Sequence, residues 1–149
     1  MYASAQTVTI KKLLAACKDT TGATQIIPKN YVKSGYEKSF DDTLYIYKSK
    51  RGNTMLLATQ NGDYYIFRTN NRAKYVRMIR ALKRQEFVFD KPQWLYRTIL
   101  RKAESVNHPK IVVSSRPRWT YGRVAFYSGP FNRKGIDNKC YTISVLKTK

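Results

Sequence analysis

TLYIYKSKRGNTMLLATQNGDYYIFRT, residues 43–69, is the stretch on which the fold turns. Three runs within it, Thr43–Ser49, Thr54–Thr59 and Asp63–Thr69, are rich in β-branched and aromatic residues. Such side chains suit a pleated, half-buried surface. Lys50-Arg51-Gly52-Asn53 and Gln60-Asn61-Gly62-Asp63 separate the runs. Asn-Gly is a strong hairpin signal, because both central residues of a type I′ turn need positive φ. The stretch therefore predicts a three-stranded antiparallel meander. Turns at Arg51-Gly52 and Asn61-Gly62 fix the faces, since side chains alternate along a strand. Leu44, Ile46, Met55, Leu57, Tyr64 and Ile66 share one face, an aliphatic core. Tyr45, Tyr47, Leu56, Ala58, Tyr65 and Phe67 share the other. Beneath a covering layer this aromatic face is core. Open to solvent, it is a platform on which bases can stack.

Upstream, Ile10–Lys18 is expected as a short helix, with Thr9 as N-cap and Gly22 just past its end. Residues 19–42, punctuated by Gly22, Pro28 and Gly35, read as mostly loop. Downstream, two helices are expected. Arg72–Gln85 follows Asn70 or Asn71 as a cap. Pro92–Val106 follows Asp90 as a cap, places Pro92 in the first turn, and stops at His108-Pro109. Strands return at Lys110–Ser114, Trp119–Ser128 and Lys139–Lys147, with Gly129–Asn138 as a loop. The order predicts one α+β domain spanning residues 1–149. Its antiparallel sheet combines the meander with the C-terminal strands, with two principal helices between them and a short N-terminal helix.

The 149 residues include 29 Lys+Arg and 9 Asp+Glu, a formal charge of +20. Repulsion of that size opposes compaction. A polyanionic partner is expected: nucleic acid first, an anionic membrane surface second. A hydrophobic content of 42% excludes a wholly disordered basic tail. No apolar run approaches the roughly 20 residues of a membrane-spanning helix. The start, Met1-Tyr2-Ala3-Ser4-Ala5, lacks the features of a signal peptide. The expected setting is cytoplasmic, a host's cytoplasm if the chain is viral, and not secreted. Cys17 and Cys140 read as small hydrophobes, with a bridge between them as the lesser alternative.

Residues 1–42 carry a net +2 and residues 43–149 a net +18. Arg68–Arg84 holds seven basic residues and no acid. At 100° per residue, Tyr75, Met78, Ile79 and Leu82 fall within an arc of about 100°. Lys74, Arg77, Arg80 and Arg84 gather opposite, with Lys83 at the edge, and Arg72 at the helix start is a further candidate contact. A solvated face would ordinarily mix Glu with Lys to gain i,i+4 pairs. This one forgoes them, which points to contact with phosphates. A merely solvated basic face and a membrane-surface helix are the alternatives. The second expected helix carries an apolar stripe of Leu95, Ile99, Ala103 and Val106 with Arg97, Arg101 and Glu104 outward, and reads as mainly structural.

A second basic cluster interleaves Arg116, Arg118 and Arg123 with Trp119, Tyr121 and Tyr127. Guanidinium and aromatic planes are the usual means of holding unpaired bases. A buried strand with an edge loop is the alternative. Arg133 and Lys134, beside Gly135, form a phosphate clamp or a solvated turn.

Catalytic signals are weak. The nine acids, Asp19, Glu37, Asp41, Asp42, Asp63, Glu86, Asp90, Glu104 and Asp137, are scattered. Asp63 suits a turn and Asp90 a cap. Glu37-Lys38 and Asp90-Lys91 are dipeptides common by chance. His108, the one histidine, reads as structural. No phosphate-cradling glycine motif and no zinc spacing is present. No cofactor or metal is expected.

The expectation is a non-enzymatic protein that binds nucleic acid with little sequence specificity. Single-stranded DNA or RNA is favoured over a duplex. Two other readings stay open: a viral or phage structural or regulatory protein docked on an acidic protein, and a metal-dependent nuclease. A homo-oligomer would extend the basic surface.

Overall fold

The computed structural model describes residues 8–18, 27–39, 42–49, 54–59, 63–95, 98–120 and 139–148. Along the chain come α1 (Ile10–Lys18), β1 (Tyr31–Ser39), β2 (Asp42–Ser49), β3 (Thr54–Thr59) and β4 (Tyr64–Thr69). There follow α2 (Arg72–Arg84), β5 (Val88–Phe89), β6 (Gln93–Leu95), β7 (Thr98–Ser105), β8 (His108–Thr120) and β9 (Lys139–Lys147). The strands form one antiparallel sheet in the order β1-β2-β3-β4-β9-β8-β7-β5, and β6 pairs with β7 as well. The architecture is α+β, as expected. β9 joins the meander to the C-terminal strands.

The meander has the register that its turn residues specify: Tyr47 lies opposite Leu56, and Leu56 opposite Phe67. Both predicted faces follow from it. The aromatic face is core. Leu56, Ala58, Tyr65 and Phe67 pack with Val113, Ile143 and Val145 against side chains of α1 and α2. Tyr65 and Phe67 are 0% and 1% exposed, so they are closed to base stacking. Burial of a large apolar side chain contributes about 1.5–3 kcal/mol. Tyr45 and Tyr47 are half-buried, and the Lys33 ammonium stands 4.2 Å from the Tyr45 ring centroid. On the opposite face Leu44, Met55, Leu57 and Ile66 form a smaller apolar cluster.

Both helices have the expected N-caps. The Thr9 hydroxyl accepts from Lys12 N–H at 3.2 Å, and Asn71 Oδ1 accepts from Lys74 N–H at 3.2 Å. At the end of α2, Phe87 N–H donates to the Leu82 carbonyl at 3.1 Å and Glu86 N–H to the Lys83 carbonyl at 3.0 Å. This is a Schellman closure, with Phe87 and Leu82 both in the core. Glu86 takes its left-handed position, φ 64°, where glycine is usual.

Three expectations need correction. Residues 31–39, read as loop, form β1. Its Val32, Lys33, Ser34, Tyr36 and Lys38 are all exposed. Among the described residues, Tyr31 alone anchors the strand in the core, which imposes no apolar period on the rest of it. Its register shifts between Lys33 and Gly35, and Gly35 takes φ 154°, a conformation open to glycine.

Pro92–Val106 is not a helix. It forms β6 and β7, with Gln93 opposite Leu100 and Leu95 opposite Thr98. Among the described residues α2 is therefore the one principal helix, besides the short α1. Leu95, Ile99, Ala103 and Val106 do recur every four residues, but burial from 103 to 105 has period two: Ala103 in, Glu104 out, Ser105 in. A helix here would strip β8, a 13-residue strand, of its neighbour and leave its edge unpaired. Asp90 does not cap. Its N–H donates to the Lys102 carbonyl at 2.8 Å. Val106 and Asn107 turn between β7 and β8, and His108-Pro109 opens β8 rather than ending a helix.

The strands expected at Lys110–Ser114 and from Trp119 are one strand, β8, through Thr120. Its pairing with β9 shifts between Arg116 and Trp119, around Pro117, which has no N–H for the ladder. Residues 121–128 and the expected loop Gly129–Asn138 lie outside the described residues.

Candidate nucleic-acid interface

Tyr75, Met78 and Leu82 of α2 are buried, and Val76, Ile79 and Ala81 pack half-buried beside them, so the opposite side of the helix turns outward. Arg72, Arg77, Arg80, Lys83 and Arg84 are exposed. Among the described residues, none of these five pairs with a carboxylate. Lys74 departs from the expected face: it is half-buried, with its Nζ 5.5 Å from the Phe67 ring centroid. Burial, and then the Arg77 charge, lower its pKa. Arg68, first of the seven in the acid-free run, is buried in β4 and lies opposite Thr142 of β9.

Between α2 and strands β5, β7 and β8 runs an open groove of about 340 Å³. Tyr75, Ile79, Arg80, Lys83, Phe89 and Arg101 line it. Two cations come from one helical turn and a third from the strand facing it. The Tyr75 ring stacks on Tyr141, with centroids 5.0 Å apart. Its hydroxyl bonds the Ser115 side chain. Burial raises the Tyr75 pKa, opposed by that bond and by Arg101. Arg101 lies directly opposite Ser115 across the β7–β8 ladder, so register sets its place in the groove.

The second predicted cluster is described only in part. Arg116 is half-buried in β8, opposite Thr142. The backbones of Arg118 and Trp119 belong to β8, with Trp119 opposite Cys140. Tyr121, Arg123, Tyr127, Arg133 and Lys134 lie outside the described residues. The residues missed in sequence are Arg101, Phe89 and the exposed Trp94. No local sequence signal marks them, because their strands are set by pairing with β7 and β8.

His108 is buried, with its Nε2 3.3 Å from Gln85 Oε1 and its ring stacked on Phe87. Cys17 is a free, buried thiol. Burial first, then the nearby Asp63 charge, push its pKa up to about 12, although Lys147 pulls it down. Among the described residues, no three of His, Cys, Asp and Glu converge to hold a metal ion, and no helix is long and apolar enough to cross a membrane. Comparison of the chain with family models, curated proteins and solved structures found no match.

Proposed function

We propose that the protein binds nucleic acid through the cationic face of α2, with little sequence discrimination and no chemistry of its own on the strand. The observation that carries this is the set of five exposed cations, Arg72, Arg77, Arg80, Lys83 and Arg84, on a 13-residue helix. Like charges three and four residues apart, such as Arg80 with Lys83 and Arg84, each destabilise the free helix by a few tenths of a kcal/mol. A row of phosphates reverses the sign of that interaction and releases condensed counterions. The exposed Trp94 on β6 and the half-buried Phe89 of the groove favour single strands of DNA or RNA, since a duplex bound through its phosphates has no use for them.

The test is affinity against salt, measured on single-stranded oligonucleotides. If the five cations each neutralise one phosphate, log affinity falls against log salt with a slope of about −3.5. That is about 100-fold between 50 and 200 mM. Absent or salt-insensitive binding overturns the proposal. A protein partner that survives nuclease treatment, without oligonucleotide affinity, would assign the charge to an acidic protein surface instead.

A further inference from the structure

We propose that Trp94, Arg101 and the groove beneath α2 form a seat for one unpaired base and its neighbouring phosphates. The inference rests on the nucleic-acid proposal above and adds to it the strandedness and the place of the contact.

Trp94 lies opposite Ile99 in the β6–β7 ladder. Arg101 stands two residues further along β7, so it shares a face with Ile99 and hence with Trp94. Arg101 in turn faces Ser115, which bonds the Tyr75 hydroxyl of α2. Trp94 is therefore on the side of the sheet that carries the groove. On the same edge of β7, Phe89 lies opposite Ala103. Successive same-face positions on a strand are about 6.7 Å apart. The guanidinium thus springs from a position midway between two aromatic residues whose levels differ by about 13 Å.

The two rings are not equivalent. Phe89 is half-buried against the core, whereas Trp94 is 76% exposed. Val88, its neighbour on the edge, belongs to the opposite face. An indole with most of its surface in water has apolar area still to bury, and a nucleobase offers a flat surface of matching size. Arg80 and Lys83 reach the same groove from α2 and supply the charge that a phosphate on either side of that base would meet. An apolar protein segment would have to desolvate three cations to use this site. An acidic peptide would meet the cations and leave the indole without a partner.

The experiment is fluorescence anisotropy with the full chain, using a 20-nucleotide oligothymidine, an oligouridine of the same length and a hairpin duplex of equal phosphate count. Trp94→Ala should weaken single-strand binding by about 5- to 140-fold, with duplex affinity and the salt slope unchanged. Trp94→Phe should keep most of the affinity. Arg101→Ala should weaken both substrates and reduce the single-strand slope by about 0.7. Trp94 is exposed, so an unchanged thermal transition is expected of its variants. Equal binding by Trp94→Ala and the parent chain on single strands overturns the seat, as does an equal loss on the duplex. If the parent chain binds the duplex alone, the seat fails while the nucleic-acid proposal stands. If it binds none of the three, both fail.

Discussion

α2 and the β6–β7 hairpin flank one groove, and they compare closely in composition. Each is basic and each carries apolar residues four apart, Met78 and Leu82 in one, Ile99 and Ala103 in the other. α2 is closed at both ends, by the Asn71 cap and the Schellman bonds of Glu86 and Phe87. It buries Tyr75, Met78 and Leu82, half-buries Val76 and Ile79, and leaves Ala73 and five cations exposed. The hairpin region lacks such closure. It takes its order from the β8 edge and leaves Trp94 and Val106 76% and 85% exposed. The difference separates two roles at the proposed site. The helix is a stable carrier of charge, while the hairpin offers apolar surface that the fold itself does not use.

The largest expected effect tests the stability side of that contrast. Leu82 is fully buried, so Leu82→Ala should destabilise the chain by about 2–5 kcal/mol in chemical denaturation. Ile99 is half-buried, and Ile99→Ala should lose less than half as much. Equal losses would mean that the hairpin is as deeply anchored as the helix. A smaller effect, of opposite sign, is expected where α2 ends. Glu86→Gly removes a side chain from a left-handed backbone and an acid from a helix C-terminus. It forfeits one exposed hydrogen bond from Asn107 Nδ2, of 3.0 Å. The balance should stabilise the chain by up to about 1 kcal/mol, seen as a higher Tm. A lower Tm would show that the Asn107 contact outweighs the backbone strain.

The same contrast explains what could be read in advance. The meander and both helices carry their instructions locally, in Asn61-Gly62, Thr9 and Asn71. Four members of the cationic face, Arg77, Arg80, Lys83 and Arg84, follow from the helical wheel alone. Lys74 does not, because its long stem allows the ammonium to turn back over Phe67. β1 is illegible because, past the buried Tyr31, its Val32, Lys33, Ser34, Tyr36 and Lys38 are exposed and leave no apolar period. β7 is misleading because apolar residues every four positions satisfy a helix, while the strand that overrules them, β8, follows only after the Val106-Asn107 turn. Arg101 and Trp94 inherit that error. The groove that Arg101 lines joins residues from 75 to 115, and a local pattern cannot show such a meeting.

The central claim is that the outward cations of α2 meet phosphates. Its most direct test replaces Arg77, Arg80 and Arg84 together with alanine, a residue that keeps an exposed helix intact. The variant and the parent chain are then titrated with the same single strand across a range of salt. Three lost phosphate contacts should make the slope of log affinity against log salt shallower by about 2, so that the two proteins converge as salt rises. Parallel lines would contradict the account and move the phosphate contacts off this helix.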